Sequence, residues 1–234
     1  MKLTKIALAS MVLSGSLLLA ACGGGDGGGS SLALGGTAAV GKPVVGTVAA
    51  SCKTGTGTSV SNADGSYTIN INGGVGPCLL KITPADGTAA MYSISSGSGS
   101  SQTANITPIT SYLVSYLRSV PGMDTAATPE AWFALPGVRA LLADTDTLNK
   151  RIVRDFIPAL NTLVPGLSIS SASFLSTAFI ANPGNATDDQ LERLKKVLIA
   201  TPSLVGALLK QLAAEAANDD PVVVAPTGAT GAGS

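Results

Sequence analysis

At Thr107-Pro108 the apolar pattern changes period, and that switch constrains the fold more than any other feature of the chain. Before it, short β-prone runs alternate with turn residues; after it, apolar residues recur every three or four positions. The pattern predicts an α+β protein: a small antiparallel β-sandwich over residues 38–105, then an α-helical bundle over 106–218. With 234 residues the chain is long enough to bury a sizeable core.

The expected strands are Val44 to Ala50, Ser66 to Asn72, Cys78 to Thr83, Ala89 to Ile94 and Gln102 to Ile106. The clearest sends Tyr67, Ile69 and Ile71 to one face and Thr68 and Asn70 to the other. Asp64-Gly65 supplies the turn before it. Asn62 and Asp64 could be imagined as calcium ligands, but Gly73 stands where an EF-type loop carries its glutamate, so a hairpin turn is expected.

Thr107 and Pro108 read as N-cap and first residue of a helix whose apolar stripe is Ile109, Leu113, Tyr116, Leu117 and Val120, with Tyr112, opposite Ser111, Ser115 and Arg118. Thr128-Pro129 repeats the signal before Trp132 and Phe133, and Pro136 should interrupt or end that piece. Leu148, Ile152, Phe156, Leu160 and Leu163 share the next stripe, in which Pro158 predicts a kink or break. Thr187 to Gln190 reads as a capping box, and Thr201-Pro202 opens a last helix lined by Leu204, Val205, Leu208, Leu209, Leu212 and Ala216. Phe174 to Ala181 is core filler or a lid, and Lys150-Arg151-Arg154 a solvated face.

At the other end, Lys2 and Lys5 precede an apolar run from Ile6 to Ala21. At about 14 to 16 residues it is short of the roughly 20 that a spanning helix needs, and residues 1–21 read as a signal peptide. The run closes on Leu19-Ala20-Ala21-Cys22, which resembles the lipobox of bacterial lipoproteins. The resemblance implies that Cys22 becomes the first mature residue, carrying a diacylglyceryl thioether and an N-terminal acyl group such as palmitate. Several chains on one residue anchor durably where one would not. Gly23, where an enterobacterial sorting signal for inner-membrane retention has aspartate, points to the outer membrane. Residues 22–37 are glycine-rich and read as a flexible tether, and 219–234 as a disordered tail.

The stretches Val45 to Val48, Ser61 to Ile69 and Gly76 to Ile82 are similar to the carboxypeptidase regulatory-like, transthyretin-like β-sandwich, most tellingly in the Asp64-Gly65-Ser66-Tyr67 turn. That likeness implies a spacer or binding module without chemistry of its own. The junction Asn105 to Thr110 also resembles one in Gram-negative lipoproteins that pair the two parts, and it brings no activity with it.

Of three cysteines, Cys22 is given to lipid. Cys52 and Cys78 remain in an exported segment, where an oxidising compartment permits a disulfide. Their spacing does not fit a Cys-x-x-Cys redox pair, and no histidine is present to complete a zinc site.

The absence of histidine removes the commonest general base, the commonest metal ligand and every Ser-His or Cys-His nucleophile. Lys plus Arg equals Asp plus Glu at 14 each, without a basic stripe, so nucleic acid is not expected as a partner. The expected function is a non-catalytic binding or structural lipoprotein of the cell envelope, on a membrane through its lipid and facing an envelope protein or glycan. No cofactor, metal or catalytic residue is assigned. Two alternatives stay open: an apolar-ligand carrier, and a hydrolase using pairs among Asp124, Glu130, Asp144, Asp146, Asp155, Asp188, Asp189 and Glu192.

Overall fold

The computed structural model describes residues 31–97, 99–121, 128–201 and 203–218. Cys22, the signal segment, the start of the tether and the tail lie outside the described residues. The strands are β1 (Leu32–Thr37), β2 (Gly46–Thr54), β3 (Thr56–Val60), β4 (Ser66–Ile71), β5 (Val75–Pro84), β6 (Met91–Ser95) and β7 (Ser101–Thr103). The helices are α1 (Pro108–Arg118), α2 (Pro129–Phe133), α3 (Pro136–Ala143), α4 (Thr145–Arg151), α5 (Ile157–Leu163), α6 (Ser173–Ser176), α7 (Ala186–Ala200) and α8 (Ser203–Ala217).

The fold is α+β with two sheets. One has the order β4-β1-β7, with β1 antiparallel to β4 and parallel to β7; the other is antiparallel throughout, in the order β3-β2-β5-β6. The expected tether over 22–37 is therefore too long, because Leu32 to Thr37 is a strand paired on both sides. Its glycines serve the pairing: a side chain on Gly36 would collide with the Ala104 carbonyl. The strand β3 was not expected either, since its sequence TGTSV carries no apolar alternation. Gly57 there lies against Ile69 and Ile71, with no room for a side chain.

Leu32 and Leu34 of β1 and Tyr67, Ile69 and Ile71 of β4 share one apolar core with Val48 of β2 and Leu80 and Ile82 of β5. Thr68 and Asn70 are exposed, as alternation requires. A second core holds the helices, and Leu79 of β5 and Ile94 of β6 belong to it. The strand β5 is thus buried on both faces, which explains its unbroken Cys78-Leu79-Leu80 run.

The helix α1 joins the two cores. Thr107 caps it and exchanges side-chain bonds with Thr110, and Pro108 opens it. The Thr110 hydroxyl donates to the Tyr92 carbonyl at 2.8 Å, and the Tyr92 N–H donates to Ser111 Oγ at 3.0 Å. Ser111, expected opposite the apolar stripe, therefore faces β6 and satisfies its backbone. Just before the cap, Asn105 is fully buried. Its Oδ1 accepts from the Thr37 N–H at 3.1 Å, while Nδ2 donates to the carbonyls of Phe174 (3.1 Å) and Thr177 (2.8 Å). One amide thus ties β1 to the α6 segment, where Phe174, Leu175, Phe179 and Ala181 are core residues.

Pro136 interrupts the piece as expected: α2 ends at Phe133 and Pro136 starts α3, consistent with its fit at a first helical position. Pro158 leaves the helical path unbroken: a π turn over Ile152–Phe156 precedes it, with the Ile157 N–H bonding to the Ile152 carbonyl. The extra residue widens the turn where proline lacks an N–H and crowds the carbonyl behind it. The cap of α7 is Asn185, whose side chain accepts from the N–H groups of Thr187 and Asp188, so Thr187 lies inside the helix. Arg151, expected on a solvated face, is buried.

Candidate functional site

Cys52 and Cys78 face each other across β2 and β5 and form a disulfide at 2.02 Å. Asn62 and Asp64 make the turn into β4: Gly65 has φ +81, and Asp64 Oδ1 accepts from both the Ser66 N–H and hydroxyl. Those bonds, the hydroxyl first, hold the Asp64 carboxyl below its ordinary range. Its oxygens are committed to the turn.

The candidate catalytic carboxylates are dispersed, and Asp124 lies outside the described residues. Glu130, in the first turn of α2, accepts from Lys81 Nζ and the Tyr92 hydroxyl, both at 3.2 Å, joining α2 to β5 and β6. Asp144 caps α4 through Thr147, with Asp146 in its first turn. Asp155 accepts from the Tyr116 hydroxyl at 3.3 Å. Asp188, Asp189 and Glu192 come together on α7. They line a concavity of about 670 Å³ with Gly41, Arg193 and Lys196. Asp189 accepts from the Gly184 N–H at 3.2 Å and Glu192 pairs with Lys195 at 3.1 Å. Asp188 is almost completely buried, and its Oδ1 has no hydrogen-bond partner among the described residues. Burial, then the charges of Glu192 and Asp189, push its carboxyl above the ordinary range. Among the described residues no group of three or more acids or cysteines could hold a metal ion.

A second concavity has a different character. It is an apolar groove of about 660 Å³ between residues 40–45, the β5–β6 turn and the C-terminal half of α7. Val44, Met91, Leu194 and Leu198 form its apolar lining. Val45 and Ile199, also in its lining, are 45% and 69% exposed. Lys42, Lys195, Asp86 and Thr88 are its polar side chains. The Asp86 carboxylate accepts from the Thr88 hydroxyl (2.7 Å) and N–H (3.0 Å), which hold it below its ordinary range.

Gly41 sets the groove's wall. Its φ of +74 is one that other residues rarely adopt, and a side chain there would collide with the carboxyl of Glu192. The loop can therefore lie directly on α7, with Gly41 lining the acidic concavity and Lys42 the apolar groove. Sequence reasoning missed this site. No local signal could have found it, because its walls come from segments far apart in the sequence.

Among the described residues no single helix is long and apolar enough to cross a membrane. No protein-family model, curated protein or solved structure matches the chain.

Proposed function

We propose that the chain is a lipid-anchored lipoprotein of the cell envelope, held in the outer membrane through Cys22, whose folded part is a non-catalytic binding module. In this reading the two sheets are a transthyretin-like sandwich, the helices complete it, and the apolar groove takes the ligand. The groove is the observation that carries the binding role. Its volume is within the range of sites for small ligands, roughly 300–1,000 Å³, and its lining is mostly apolar with a few polar groups. The anchor reading rests on the Leu19-to-Cys22 motif. Cys22 lies ten residues before β1, and the groove is lined by residues that follow the other end of that strand. A six-residue strand spans about 20 Å, so the groove would open away from the anchored end.

Two measurements test the parts separately. Fractionation of the expressing cell should find the wild-type chain with membranes and Cys22→Ala in the soluble periplasm; equal distribution refutes the anchor. A neutral naphthylamine dye should bind once per chain and be blocked by Ala89→Trp, a change at an exposed position lining the groove. Absence of saturable dye binding refutes the groove.

One observation favours a second reading as a hydrolase. A raised carboxyl at Asp188 beside Asp189 and Glu192 is the kind of pairing that separates an acid from a base. Asp189 and Glu192 are already engaged by Gly184 and Lys195, which favours the binding reading. Envelope-glycan cleavage by the wild-type chain that Asp188→Asn abolishes would reverse that preference.

A further inference from the structure

Resting on the groove reading above, we propose that the ligand is a single long-chain fatty acid, its methylenes on Val44, Met91 and Leu198 and its carboxylate between Lys42 and Lys195. The lining itself argues for a hydrocarbon chain. Apart from Lys42, Lys195, Asp86 and Thr88, every lining side chain is apolar, so a peptide laid there would find few partners for its amides. A methylene chain needs none.

The polar groups argue for one carboxylate. The single lining acid, Asp86, takes both bonds from Thr88 and stays charged near Lys42, so the two lysines leave one positive charge in excess in the lining. Lys42 makes no ion pair among the described residues. Lys195 shares Glu192 at 3.1 Å in a pair about one-third exposed on each side, which a ligand anion can join without desolvating a buried bridge. Both lysines belong to the end where Gly41 meets Glu192: Lys42 is the next residue after Gly41, and Lys195 is one turn beyond Glu192 on α7. Farther along that helix the wall becomes Leu198 and Ile199. The groove therefore has a polar end, with Lys42 and Lys195 beside Glu192, and an apolar end, the shape of an amphiphile.

The test titrates the full chain carrying Cys22→Ala, which needs no detergent, with a fluorescent polyene fatty acid, its methyl ester and the neutral dye. The acid should bind once per chain, about tenfold more tightly than the ester, as a charge-assisted contact allows. Lys42→Ala combined with Lys195→Ala should erase that difference, and Ala89→Trp should block acid and ester alike. Equal binding of acid and ester, or an acid preference that survives loss of both lysines, overturns the proposal. If the dye binds and Ala89→Trp blocks it while the acid has no advantage, this proposal falls and the groove reading stands. If no probe binds, both fall.

Discussion

Asn105 shows how much one side chain can hold. It is wholly buried, and its amide bonds to Thr37, Phe174 and Thr177. Asn105→Ala would leave those backbone groups without partners, at about 1–3 kcal/mol for each that stays dry. Urea unfolding should show a loss of about 3 kcal/mol or more, and a change below 1 kcal/mol would mean that water replaces the amide. Asp188 makes a prediction with a sign. Its carboxyl lies above the ordinary 3.8, so the folded chain keeps that proton to higher pH than the unfolded chain does. Its contribution is present below the unfolded value and is lost as pH rises through the folded one. Compared with Asp188→Asn, the wild type should therefore lose stability as pH rises above about 4, and a constant difference between the two across that range would contradict this. Neither role was legible in the sequence. Asn105 acts on residues 68 to 72 positions away, and the burial of Asp188 depends on packing that no local pattern carries.

At the scale of elements, the sequence is readable wherever local chemistry decides. Thr107 and Thr128 cap their helices as expected, because a side-chain oxygen and a following proline suffice to start a turn. Thr107→Ala should cost about 1 kcal/mol. It also frees Thr110 from the reciprocal bond, so hydrogen exchange at the first turn of α1 and at Tyr92 should rise together. Exchange confined to α1 would separate the cap from the strand. The elements that were missed are those that tertiary contact specifies. In β1 and β3, Gly36 and Gly57 are needed for close approach, whereas in sequence they look like linker. Pro158 was read as a kink or break because no local rule announces the π turn that precedes it. The groove escaped for the same reason: its walls come from residues 40–45, 84–91 and 194–199.

Across the whole molecule, sheets and helices are mechanically joined, since Leu79 and Ile94 belong to strands and to the helical core at once. The disulfide lies between two strands 26 residues apart, and closing a loop of that length stabilises by about 3 to 4 kcal/mol in the chain-entropy model. Trp132, the one tryptophan, is buried among the helices. Cys52→Ala with Cys78→Ala should therefore lower the urea midpoint followed by Trp132 fluorescence, although the change is made in the sheets. An unchanged midpoint would show two independent units. The anchor is the claim on which the molecule's place in the cell depends. Its most direct measurement is the intact mass and N-terminal sequence of the chain purified from the membranes of its own cell. The account predicts a protein that begins at Cys22 and is heavier than its polypeptide by a diacylglyceryl group and an acyl chain. A mature chain with an unmodified Cys22 thiol, or one that begins elsewhere, would contradict it.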